Sequence, residues 1–137
     1  MFYFFFVLII FFGCKVNDPY DENKYILIGI DSSDIKGKVS SKMYTCIFDT
    51  SRRLFVYFWD NDSIMLKGFN HGLKKDGAWK HYFYEGKLNS EEVYKDGVKI
   101  GSHKFYYSNG KLKNKKNFKD GILSYTNSYD TNGVPIK

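Results

Sequence analysis

Asp76 to Gly97 reads DGAWKHYFYEGKLNSEEVYKDG, and Ile100 to Gly121 reads IGSHKFYYSNGKLKNKKNFKDG. Gly77, Gly86, Tyr94 and Gly97 of the first stretch recur as Gly101, Gly110, Phe118 and Gly121 of the second, 24 residues later each time. The same offset aligns Lys80 with Lys104, Tyr82 with Tyr106, and Lys87-Leu88 with Lys111-Leu112, and no gap is needed. A fixed period with glycines and aromatics in register means one supersecondary unit copied along the chain. Such units cannot bury a hydrophobic face alone, so they stack and present an extended surface. That favours a binding or scaffolding surface over a catalytic pocket.

Turn chemistry sets the architecture. Asn109-Gly110 is a strong hairpin signal, because a two-residue type I′ turn needs positive φ at both positions. Asp96-Gly97, Asp120-Gly121 and Asn132-Gly133 carry the same chemistry, and Glu85-Gly86 a poorer version. The stretches between them have strand length. The sequence therefore predicts an all-β fold, an elongated twisted antiparallel meander of repeated β-hairpins. Gly77, Gly86, Gly97, Gly101, Gly110, Gly121 and Gly133 are its expected structural turn glycines. Two-residue turns would pair Phe83 with Leu88, Trp79 with Glu92, Tyr94 with Lys99 and Tyr107 with Leu112. Alternation then places Trp79, His81, Phe83, Leu88, Tyr94, His103, Phe105, Tyr107, Leu112 and Phe118 on a packing face. The opposite face is basic and rich in tyrosine: Lys80, Tyr82, Tyr84, Lys104, Tyr106, Lys111, Lys113 and Lys115 are the candidate binding residues.

Composition agrees. In 137 residues, 20% are aromatic and only two are proline, which favours strands punctuated by glycine. The formal net charge is +6, and every Lys and Arg follows Cys14. Positive charge attracts phosphate groups of lipid or nucleic acid; its plainer role is to keep edge strands from pairing.

Phe2 to Phe12 is an unbroken apolar run. As a helix it would reach about 16 Å, against a hydrocarbon core of about 30 Å. A run of this length at an N-terminus, followed by Gly13-Cys14, reads as a signal segment ending in a lipobox-like site, with Cys14 the lipidated residue. The alternative is a buried first strand or an uncleaved anchor. Lys15 to Lys24 is polar and reads as a tether, and Asp18, Asp21 and Glu22 resemble a surface-export signal. The expected organisation is a signal peptide over 1–13, a tether over 14–24, N-terminal strands with a degenerate repeat over 25–67, and repeats over 68–137. The expected location is the cell envelope, as an outer-membrane lipoprotein of a Gram-negative bacterium. With Cys14 lipidated, Cys46 has no partner for a disulfide and reads as a buried, inert thiol.

The pattern Asp76-Gly77-x-Trp79-x-x-Tyr82-Phe83, Gly86-Lys87-Leu88, Tyr94-Lys95-Asp96-Gly97, and its second copy ending Phe118-Lys119-Asp120-Gly121, resembles the MORN-repeat variant family. A truncated third copy is Tyr129-Asp130-x-Asn132-Gly133, one residue nearer its preceding glycine. A degenerate copy, Tyr57 to Asp62 followed by Phe69-Asn70-His71-Gly72, fits with a one-residue deletion. The resemblance implies twisted sheets of successive hairpins used as interaction modules; similar proteins include bacterial lipoproteins and YwqK-type antitoxin-like proteins. His103 in place of the Trp79 of the preceding copy is expected to weaken its copy.

No phosphate-binding loop, nucleophile elbow, zinc-protease motif or paired Cys motif is present. In the predicted register His81 and His103 flank Ser90 about 9–10 Å apart, too far for two ligands of one metal. Glu91 and Glu92 are adjacent and point to opposite faces, so they form no acid–base pair. Asp60 and Asp62 read as turn residues. We expect no enzyme activity, cofactor or metal. The expected function is that of a non-catalytic, lipid-anchored envelope protein whose repeat sheet binds a protein or surface ligand. The alternatives are a module for anionic lipid or another polyanion, and an antitoxin-like, toxin-neutralising partner. The membrane is a partner through the lipid anchor, and nucleic acid is not expected to be one.

Overall fold

The computed structural model describes residues 25–31, 41–46 and 49–136. The apolar N-terminal run, Cys14 and the segment read as a tether lie outside the described residues. What is described forms one antiparallel sheet: β1 (Tyr25–Asp31), β2 (Ser41–Cys46), β3 (Arg52–Phe58), β4 (Ile64–His71), β5 (Lys74–Tyr82), β6 (Leu88–Lys95), β7 (Val98–Lys99), β8 (Gly101–Tyr106), β9 (Leu112–Lys119), β10 (Ile122–Tyr129) and β11 (Pro135–Ile136). Neighbours in sequence are neighbours in the sheet, and β7 and β8 share β6 as partner. This is the expected meander of hairpins.

The turns along its two margins differ. On one margin they hold two residues. Asp96-Gly97 (φ 48° and 86°) and Asp120-Gly121 (φ 50° and 83°) are positive at both positions, as type I′ requires. The amides of Gly72, Gly97 and Gly121 donate to the carbonyls of Ser51, Lys75 and Lys99, so each turn is tied to the preceding unit.

On the other margin the expectation of two-residue turns fails. The amides of Trp59, Phe83, Tyr107 and Asp130 donate to the carbonyls of Ser63, Lys87, Lys111 and Val134. These close three-residue loops in which the last residue alone has positive φ: Asp62 (65°), Gly86 (79°), Gly110 (85°) and Gly133 (86°). Asn109 stays out of the left-handed region, and its side chain ties two loops together. Its Oδ1 accepts from the Lys111 amide at 3.0 Å, and its Nδ2 donates to the Thr131 carbonyl of the next loop at 2.9 Å. The extra loop residue shifts the nearby register, so Leu88 pairs with Tyr82 rather than Phe83, and Leu112 with Tyr106 rather than Tyr107. A bulge next to each loop restores the expected Trp79–Glu92 pairing.

Gly77 (φ 105°) and Gly101 (φ 64°) lie within the strand regions, not in turns. Between the pairs Gly68–Trp79 and Asn70–Lys75, β5 carries two residues more than β4. Between Glu91–Lys104 and Tyr94–Lys99, β7 and β8 together carry two more than β6. The third unit has Tyr125 where a glycine would fall, and there β10 carries only one extra residue, between Leu123 and Tyr125. That missing residue is the one by which the third copy is short.

Two small cores form. Cys46, Leu54, Val56 and Phe69 are buried together, with Tyr44, Phe58 and Ile64 packed on them. In the repeats, Trp79, Tyr94, Ser90 and His103 are buried. By alternation along the paired strands, Val56 and Trp79 belong to opposite faces.

Candidate binding surface

Direct register partners trace a line across the sheet. Lys42 faces Val56, Val56 faces Lys67, Lys67 faces Lys80, Lys80 faces Glu91, Glu91 faces Lys104, Lys104 faces Lys115, and Lys115 faces Asn127. Five lysines and one glutamate thus lie in a single row, strand by strand about 4.8 Å apart. Glu91 sits between two of the lysines: its carboxylate is 3.4 Å from Lys80 Nζ and 3.8 Å from Lys104 Nζ, and it accepts from the Tyr106 hydroxyl at 3.3 Å. Burial, and then the Glu91 charge, hold the Tyr82 and Tyr106 hydroxyls above the usual phenol range. Lys67 and Lys80, and again Lys104 and Lys115, are like charges directly opposite one another, an arrangement that destabilises a sheet.

Of the candidates named from sequence, the structure brings together Lys80, Tyr82, Lys104, Tyr106 and Lys115. Lys111 lies in the loop margin, where its Nζ donates to the Asn132 carbonyl at 2.8 Å, as Lys87 does to Ser108 one repeat earlier at 3.1 Å. Tyr84 also lies in a loop, its ring 5.8 Å from that of Trp59. Lys113 is 5.5 Å from the ring of Tyr107, a residue expected on the other face; the bulge after Leu112 sets them side by side. Lys42 and Lys67 were missed, because no clear copy of the repeat covers their strands.

The opposite face carries the repeat aromatics under cations: Lys75 lies 4.2 Å from the Trp79 ring and 4.9 Å from that of Tyr94, and Lys99 5.4 Å from that of Phe118. On the side of the Val56 core, Arg52 lies 6.0 Å from the Phe69 ring. The Trp79 indole donates to the Phe69 carbonyl at 2.8 Å. His103, one period later, keeps this bond: its Nε2 lies 3.0 Å from the Val93 carbonyl. The predicted flanking of Ser90 by His81 and His103 is corrected. Ser90 faces His81 and Phe105, because the two-residue detour at Ile100–Gly101 moves His103 opposite Glu92.

Burial alone would raise the Glu92 carboxyl, but the Tyr94 hydroxyl, Lys99, His81 and His103 hold it below its ordinary value. Burial, then Glu92, pushes the Tyr94 hydroxyl far up. Cys46 is fully buried. A shallow cleft is lined by Asp49, Arg52, His71, Asp76 and Lys95, and within it Lys95 pairs with Asp76 at 2.8 Å. Among the described residues no group of three or more His, Cys, Asp or Glu is placed to hold a metal ion.

An open sheet of stacked hairpins with a periodic face defines a repeat module. Residues 75–96 and 99–120 match the MORN repeat variant. The chain carries two copies of this repeat, whose boundaries follow the hairpins β5–β6 and β7–β9. Neither the curated proteins nor the solved structures yield a match. Repeats of this family generally serve as protein- or lipid-binding modules.

Proposed function

We propose that the protein is a non-catalytic, lipid-anchored cell-envelope protein whose repeat sheet binds a protein or surface ligand. The observation that carries the binding part is the row from Lys42 to Lys115, which offers charge on a broad sheet face rather than in a cleft. The anchoring part is supported by Phe2 to Phe12 followed by Gly13-Cys14. One acyl chain binds membranes only marginally, so stable anchoring requires several chains or added basic residues. Metabolic labelling with an alkyne fatty acid tests it: wild type takes up label, and Cys14→Ala takes up none and leaves the membrane fraction. Retention of Cys14→Ala in that fraction with unchanged mobility would sink the lipoprotein reading.

A second reading is favoured by the like-charged neighbours Lys67–Lys80 and Lys104–Lys115. An anionic lipid surface or another polyanion would relieve that repulsion. Co-sedimentation with anionic and with neutral vesicles, across a salt series, separates this reading from protein binding alone.

A further inference from the structure

Glu92 and His103 occupy the places that Gly68 and Trp79 hold 24 residues earlier. In the first repeat the indole lies on a glycine: Gly68 and Trp79 are register partners, and a Cβ at Gly68 would stand 2.1 Å from the ring. In the second repeat the ring is smaller and the glycine has become a carboxylate. An apolar contact has been replaced by a titratable one at the same depth.

His103 has no exposed surface. Its Nε2 is engaged by the Val93 backbone, and its Nδ1 has no hydrogen-bond partner and lies 4.0 Å from Glu92 Oε2. A second proton would have to enter at Nδ1. Burial, and after it Lys99, oppose that charge; the Val93 and Ile100 carbonyls and the Glu92 carboxylate favour it but do not outweigh burial. The rings of Tyr94 and Phe118 pack on the imidazole at 5.8 Å and 4.6 Å. From β9, Lys116 is its register partner. From β7, Lys99 lies 4.0 Å from Glu92, whose carboxylate also accepts from the Tyr94 hydroxyl. From β5 come His81, which feels the Glu92 charge, and Lys75, over the Tyr94 ring.

We propose that the second repeat is an acid-labile joint of the sheet, closed while His103 is neutral and opened when that imidazole takes a proton, whereas the Trp79–Gly68 contact of the first repeat is indifferent to pH. Burial, helped by Lys99, holds the imidazole below its ordinary value of 6.5, partly offset by the Val93 carbonyl, Glu92 and the Ile100 carbonyl. The open form therefore binds protons first. Closure is fully favoured above about pH 6.5 and is lost as pH falls toward the folded-state value. Within that window the open population grows by up to about tenfold per pH unit. Below the ordinary carboxyl value of 4.5, Glu92 adds to the loss in the same direction. The inference stands apart from any ligand.

Amide hydrogen exchange of the full chain, corrected for intrinsic rates, tests it at pH 7.5, 6.5 and 5.5. His81→Gln is used as background, so that the other half-buried imidazole of the repeats is silent. Opening of β6 to β9 should rise by up to about tenfold between pH 6.5 and 5.5, with β3 and β4 unchanged. Combining Glu92→Gly with His103→Trp transplants the first repeat's pair and should abolish the rise. Equal change across the sheet, no change in β6 to β9, or a rise that persists in the transplant would overturn the proposal. Should the transplant fail to fold, the His103 ring is titrated by NMR in the background protein. A midpoint below 6.5 that tracks the exchange supports the joint, and a midpoint at 6.5 without change in exchange overturns it.

Discussion

Gly68 and Trp79 stand opposite each other across β4 and β5, with the indole of one filling the space that a side chain of the other would need. The contact explains why a glycine, ordinarily a poor strand residue, occupies the middle of β4. Gly68→Ala forces the indole aside and should cost about 1–3 kcal/mol, the usual range for overpacking. Adding Trp79→His, the ring of the second repeat, should recover part of that loss. Urea unfolding of the two single variants and the double variant measures the coupling. Strictly additive losses would show that the ring and the glycine do not share this space.

The loop margin makes a paired prediction. Asp62 holds the left-handed position that Gly86 and Gly110 hold in the later loops, with φ 65° against 79° and 85°. A non-glycine residue is strained there. Asp62→Gly should therefore raise stability, by up to about 1 kcal/mol. Gly110→Val should lower it by more than about 1 kcal/mol, since a β-branched side chain is least tolerated at positive φ. Thermal midpoints moving in opposite directions are the expected result, and a midpoint unmoved by Gly110→Val would contradict the loop assignment.

These particulars also mark how far the sequence could be read. The period, the all-β class and the type I′ turns Asp96-Gly97 and Asp120-Gly121 were legible because glycine and aspartate are placed there by backbone conformation. The three-residue loops were not, because Asn109-Gly110 suits both turn types, and the loop from Tyr84 to Gly86 takes the same form with Glu85 in that place. The detours at Gly77 and Gly101 were hidden for a similar reason. A glycine needed for positive φ inside a strand looks in sequence like a glycine needed for a turn. Missing them placed His103 two residues out of register. The same error concealed its meeting with Glu92, the most consequential contact in the second repeat. Two of the five lysines in the row escaped as well, since no clear copy of the repeat covers the strands of Lys42 and Lys67.

Tyr94 and Glu92 give a prediction with a definite sign. The Tyr94 hydroxyl donates to the carboxylate, helping to keep its proton affinity low despite burial. A depressed carboxyl contributes stability that is present above its unfolded value of 4.5 and is lost as pH falls through the folded value. Tyr94→Phe removes the donor and should cost about 1.5–3 kcal/mol at neutral pH, as for hydrogen bonds to charged groups. The gap between variant and wild type should then narrow below pH 4.5, as Glu92 takes its proton. A gap that stays constant from pH 7 to pH 3 would mean that the ring, not the hydroxyl, supplies the contribution.

The lysine row separates stability from binding. Lys104 and Lys115 oppose each other directly, and Glu91 relieves Lys104 only partly, from 3.8 Å. Exchanging both for Gln removes the repulsion while keeping side chains that cover the same strands, so the sheet should be as stable as before or slightly more so. Half-buried charges at a surface still act over about 10 Å at 0.1 M salt, and their attraction for an anionic partner fades as salt rises. The double variant should therefore bind anionic vesicles more weakly than wild type and with a flatter salt dependence. Lys111→Gln provides the contrast. Its ammonium holds the Asn132 carbonyl of the next loop, so its loss should loosen the loop margin and leave the salt dependence nearly unchanged. If the Lys104, Lys115 double variant is markedly destabilised, the two lysines support the sheet rather than oppose it. If it binds anionic vesicles as wild type does, the row from Lys42 to Lys115 is not the surface that meets them.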